Sequence, residues 1–171
     1  MRSVLISVVI ALCASPSLAG DDPLLARLAG DWIGRGLFRQ SPEATPEHIY
    51  CRITNSLSED GTTLTQKGRC AFASHTAAVE STLAAHGSGR YAGSGGGLGV
   101  ASRAQATFDG TGTTNRLSFS AELTDTHSEE SANATATVEL LADGGYRLKA
   151  LVTDKDTGET YTASEVVFAA Q

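Results

Sequence analysis

The chain has 171 residues, with 13 Lys and Arg against 19 Asp and Glu, a formal net charge of −6 and only 6% aromatic residues. That acidity argues against nucleic acid and anionic membrane surfaces as partners, and the length suits one domain with a real core. Alanine, glycine, serine and threonine abound, so a core drawn from this composition packs thinly or encloses space.

The chain opens with the positive start Met1-Arg2-Ser3, an apolar run from Val4 to Cys13, and small residues at the two cleavage-reading positions of Pro16-Ser17-Leu18-Ala19. This reads as a secretory signal over residues 1–19, cut between Ala19 and Gly20, which leaves residues 20–171 as one exported domain. The run is well short of the roughly 20 residues that span a bilayer, and no comparable run follows, so no membrane span is expected. Cys13 suggests a lipoprotein anchor, but Leu12 precedes it where a small residue is required, so Cys13 is expected to leave with the signal. The expected destination is the periplasm or the exterior. Without Arg2 the mature chain carries a net charge of −7.

Asp22-Pro23-Leu24-Leu25-Ala26-Arg27-Leu28 has an acid at the start, proline in the first turn and leucines three and four apart, which predicts a short helix closed by Gly30. From Trp32 onward the pattern alternates with period two between Gly, Asp and Asn signals. In 116–123, Leu117, Phe119, Ala121 and Leu123 share one face, while Arg116, Ser118, Ser120 and Glu122 share the other. Strands are predicted near 32–39, 47–57, 62–73, 76–86, 99–108, 114–124, 132–141, 145–153 and 159–169, with a short extra one near 88–93. The fold class is all-β: eight to ten antiparallel strands closed into an up-and-down barrel that leaves no edge, or else a two-sheet β-sandwich. Gly93 to Gly99 reads as a flexible connection or a sharply bent strand pair; no lysine or helix follows, so it is no phosphate loop.

Cys51 and Cys70 are the cysteines that remain after cleavage. Folding the chain at Asp60-Gly61 lays them directly opposite one another, and export supplies oxidising conditions, so a disulfide is expected. With a two-residue turn at that point they form a hydrogen-bonded pair, whose side chains stand farther apart than in the alternative pair; a bulge or a longer loop repairs this.

No enzyme constellation is present: there is no G-x-S-x-G, H-E-x-x-H or C-x-x-C, and the disulfide removes a free thiol. The chain is therefore read as non-enzymatic. His48, His75, His86 and His127 are scattered singly and no metal site is expected. Asp154-Lys155-Asp156-Thr157-Gly158-Glu159 lacks the third ligand and distal glutamate of a calcium loop and reads as a hairpin turn with a left-handed glycine. Aromatic residues fall about one per strand among small neighbours. Such rings either line a cavity for an apolar ligand or simply fill the core, and Phe168 is expected on the opposite face from Tyr161. The candidate ligand-binding residues are Trp32, Phe119, Tyr146 and Tyr161.

Gly30, Trp32, Gly34 and Gly36 form a G-x-W-x-G-x-G start that resembles the opening of calycin or lipocalin-like barrels, and in its fuller form the nitrobindin-like ones. It also resembles many small exported bacterial proteins of unassigned function. The resemblance implies a barrel, floored by the tryptophan, that binds a small hydrophobic molecule, or haem in the nitrobindin-like case. Nitrobindins carry their iron-ligating histidine near the C-terminus, whereas no histidine follows His127, so no cofactor is expected. Secreted protease inhibitors also use small barrels of this kind. Two functions follow as expectations: a carrier of a small apolar ligand, with a cavity lined by Phe119, Tyr146 and Tyr161, or a protein-interaction module, either an inhibitor or an envelope-assembly factor, acting through loops such as Gln40–Pro46 and Thr124–Ser131.

Overall fold

In the computed structural model ten antiparallel strands close into one up-and-down barrel with a short helix beneath it. The structure describes residues 22–73, 75–96, 104–125, 131–155 and 157–171; the expected signal peptide lies outside them. The elements are α1 (Pro23–Leu28), β1 (Gly30–Phe38), β2 (Glu47–Leu57), β3 (Thr63–Ala71), β4 (Thr76–Ala85), β5 (Arg90–Gly96), β6 (Ala104–Gly112), β7 (Arg116–Asp125), β8 (Ser131–Leu140), β9 (Tyr146–Thr153) and β10 (Thr160–Ala170). Each strand pairs with its neighbours in sequence, and β1 closes the ring against β10. This architecture is compatible with a calycin-like fold. Closure satisfies every edge, which an open ten-strand meander would leave exposed.

The helix forms the floor. The Asp22 carboxylate accepts from the backbone N–H groups of Leu24 and Leu25 at 3.0 Å, and Pro23 fits the first turn, where its missing donor costs nothing. Leu24, Leu25 and Leu28 are buried against the barrel. At its other end the Leu28 carbonyl, orphaned by the end of the helix, accepts from Trp32 Nε1 at 2.9 Å and Asn55 Nδ2 at 2.8 Å. Tyr91 on β5 donates to the second Asp22 oxygen at 2.9 Å, so the helix is strapped at one end to β5 and at the other to β1 and β2. Ala29 is the cap residue, its N–H bonded to Leu25, and Gly30 follows at φ +125° as the first residue of β1.

The β2–β3 hairpin settles the geometry of the cysteines. Gly61 N–H bonds Ser58 carbonyl at 2.9 Å, and Ser58 N–H bonds Thr63 carbonyl at 2.8 Å, so the loop has four residues rather than two. Asp60 accepts from the Ser58 hydroxyl and from the N–H and hydroxyl of Thr62. Those bonds, that of Ser58 first, hold its carboxyl below the usual range although it is exposed. The longer loop moves Cys51 and Cys70 into a non-hydrogen-bonded pair with Cα atoms 4.0 Å apart, and they form a disulfide on the buried face.

One segment differs from the sequence expectation. Asp109-Gly110 continues β6 instead of ending a strand, because Gly110 stands opposite Phe119 and a side chain there would collide with the ring. Gly93 to Gly96 belong to β5, which fits the reading of that run as strand in the barrel wall, with Gly93 opposite Phe108; residues 97–103 lie outside the described ones. Gly34 opposite Phe168 repeats the device. Glycines on the inner face make room for rings from the next strand, which explains how so few aromatics fill a ten-strand barrel.

Candidate functional site

The interior reads upward from the floor. The Trp32 ring meets Tyr146 edge-on at 4.9 Å, and Tyr146 stacks on Phe168 at 4.6 Å. Gln66 Nε2, half-buried, donates to the buried Asn55 Oδ1 at 3.1 Å, completing a short amide pair that ends on the Leu28 carbonyl. Toward the opposite end, the mouth, Ala77, Ala106, Ala134 and Ala163 are buried in the wall together with Phe38, Ile49, Leu123 and Val152.

Two voids lie inside this wall. The one nearer the floor, about 60 Å³, is bounded by Leu28, Asn55, Leu64, Phe108, Leu117 and Phe119 among others. The one nearer the mouth, about 70 Å³, runs beside the disulfide among Ile49, Cys51, Cys70, Phe72, Ala77 and Phe168. Gln66, Val138, Tyr146 and Leu148 border both, so the two stack along the barrel axis around a shared waist. Each is well below the roughly 300 Å³ at which pockets for drug-sized ligands begin, though it exceeds the ~30 Å³ share of one water.

The Tyr146 hydroxyl at that waist is buried and has no hydrogen-bond partner among the described residues. Burial pushes its ionisation upward, outweighing the Asn55 amide, which lies near enough to act on the hydroxyl as a donor without making a well-formed bond to it. An unpaired hydroxyl in an apolar wall costs about 1–3 kcal/mol unless something answers it. Ser164, on the inner face of β10, has a second such hydroxyl.

The four residues singled out in the sequence occupy different places. Phe119 lines the floor void and Tyr146 lines both voids. Trp32 borders neither; it backs Tyr146 and ties the floor. Tyr161 stands at the mouth, where its hydroxyl donates to the Gln40 carbonyl at 2.8 Å, and burial raises its ionisation, with Asp154 adding to the effect. A bulge at Ala163 corrects the expected opposition of Tyr161 and Phe168. The register shifts between Thr162 and Ser164, so Tyr161 pairs with the inward Val152 while Phe168 faces inward beside Tyr146. Asn55 and Gln66 were not anticipated, and a polar residue at an inward position of an alternating strand was the available signal.

A broad depression, about 950 Å³, lies outside the barrel over β5–β8, where Thr111, Ser118, Ser120, Thr135 and Thr137 form a shallow hydroxyl-covered wall. The bodies of Tyr91 and Phe119 are buried, so it has no ring platform or buried charge with which to select a ligand. Among the described residues no group of three or more His, Cys, Asp or Glu side chains is placed to hold a metal ion, and no helix is long and apolar enough to cross a membrane. The disulfide fits an oxidising compartment. No protein-family model matches the chain, and no curated protein matches its sequence.

Proposed function

We propose that the protein is an exported, non-enzymatic barrel of the calycin-like kind that binds a small, slender apolar molecule along its axis. The observation that carries this reading is the pair of stacked voids with apolar walls and one unpaired hydroxyl, that of Tyr146, at their shared waist. Apolar walls supply affinity, and a few convergent polar groups supply orientation. The ligand is accordingly a narrow hydrocarbon-like body, inserted from the mouth past Phe72, with one polar atom for Tyr146 or Gln66. The signal-like start of residues 1–19 and the disulfide support a periplasmic or secreted location.

Native mass spectrometry of protein purified from the periplasm tests this reading. The expected result is a discrete adduct that is lost on denaturation and depleted in Tyr146→Phe. A clean mass for both proteins, together with no saturable uptake of a slender fluorescent fatty-acid probe, would sink it. The smallness of the voids favours a second reading, a protein-interaction module with a filled core. Of the loops considered for that role, Gln40–Pro46 lies at the mouth, and residues 126–130 of the other lie outside the described residues.

A further inference from the structure

The outer face of β1–β3 differs from the rest of this acidic chain. Strand register places Arg35 beside Tyr50, and Arg52 directly opposite Arg69. Both Arg35 and Arg52 lie over the Tyr50 ring, at 5.4 and 5.9 Å from its centre, and Arg52 Nε donates to the Tyr50 hydroxyl at 3.1 Å. Among the described residues no carboxylate pairs with Arg35, Arg52 or Arg69. The surrounding acids are engaged elsewhere: Glu80 with Lys67, Glu165 with Arg147 and Lys149, and Asp31 with the Thr54 hydroxyl. Like charges directly opposite on neighbouring strands are destabilising, so the Arg52–Arg69 pair is a standing cost to the folded chain.

The same face carries the exposed large apolar side chains of the described residues, Leu37 at 47% and Val167 at 41% exposure. Val167 is paired with Arg35, and Leu37 follows two residues along β1. Arginine and tyrosine beside exposed aliphatic groups is the composition of the energetic centre of a protein interface.

We propose that this wall is a docking surface for another protein, one that presents carboxylates beside apolar side chains. Charge complementarity sets the occupant: three guanidiniums, two of them held over Tyr50, offer forked donors that match carboxylates in geometry as well as charge. A symmetric dimer through the same patch sets arginine against arginine and is disfavoured. The surface is independent of the axial voids, and its success or failure does not bear on them.

The test is fluorescence anisotropy with the intact mature protein and a short labelled peptide alternating Glu and Leu, compared with its Gln-for-Glu counterpart, a heparin oligosaccharide, and vesicles containing phosphatidylglycerol. The Glu peptide should bind, the Gln peptide about tenfold more weakly, and added salt should reduce the difference. Arg35→Gln with Arg52→Gln should weaken Glu-peptide binding about tenfold, while Lys67→Gln should leave it within about twofold. Arg52→Glu with Arg69→Glu should reverse the preference toward a Lys-Leu peptide, a gain that a misfolded variant could not produce. Equal binding of the Glu and Gln peptides, indifference to the arginine substitutions, or tighter binding of heparin or vesicles than of the Glu peptide would each overturn the proposal.

Discussion

The two ends of this barrel are closed by different means. At the floor, α1 lies across the opening with three leucines buried and both of its termini bonded to strands, through Asp22 to Tyr91 and through Leu28 to Trp32 and Asn55. At the mouth, buried alanines share the inner wall with Phe38, Ile49, Leu123 and Val152, Tyr161 is bonded to Gln40, and Phe72 packs at 5.0 Å on Phe38. The floor is thus tied to the strands by hydrogen bonds from both ends of a helix, and the described part of the mouth by the Tyr161–Gln40 bond and ring packing.

Substitutions at the two ends test that division. Trp32→Ala removes the ring that packs on Tyr146 and bonds Leu28, and it should cost about 3–5 kcal/mol in denaturant unfolding. A loss below 1 kcal/mol would mean that the helix plug does not depend on it. Replacing Cys51 and Cys70 together by serine should cost about 2–4 kcal/mol, because the bridge closes the β2–β3 loop. Next comes a matched pair: Gly34→Val drives a side chain into the Phe168 ring and should cost about 1–3 kcal/mol. Ala77→Val, beside the mouth-side void, should fall within about 1 kcal/mol of the parent while reducing uptake of the fatty-acid probe. Equal costs for Gly34→Val and Ala77→Val would erase the distinction between packed and open wall.

The fold was legible because alternation with period two survives wherever one face is buried. The run Leu117, Phe119, Ala121, Leu123 lies inward as read, and the cysteine register followed from counting outward from Asp60-Gly61. What the letters concealed was glycine used in two ways. Gly61 turns the chain at φ +66°, but Gly110 sits in mid-strand because a ring needs its place, and the two look alike until the partner strand is known. Likewise the bulge at Ala163 has no local mark, yet it decides that Tyr161 and Phe168 share the interior. The candidate site was half legible: Phe119 and Tyr146 reach the voids, while Trp32 supports and Tyr161 guards the rim. Asn55 and Gln66 are illegible in the letters because a lone amide reads as solvated until closure of the barrel turns it inward and buries Asn55.

The smallest effect expected is a pH dependence at the floor strap. Burial, and then the hydrogen bond and charge of Asp22, push Tyr91 up from an ordinary value of 10.0 to about 12. The native protein thus holds a proton that the unfolded chain releases. The stability gained is fully present below pH 10 and is lost as pH rises through about 12. Asp22→Ala removes the charged neighbour and the helix cap together. It should lower the Tyr91 titration midpoint, followed by the tyrosinate absorbance of a Tyr91→Phe difference pair, and cost about 0.5–2 kcal/mol at neutral pH. Asp22→Asn keeps an oxygen for Leu24 and Leu25 but not the charge. If the strap acts through that charge, the asparagine variant should retain most of the neutral-pH stability while its Tyr91 midpoint falls toward the ordinary value. An unmoved midpoint would assign the shift to burial alone and leave the helix held by its leucines.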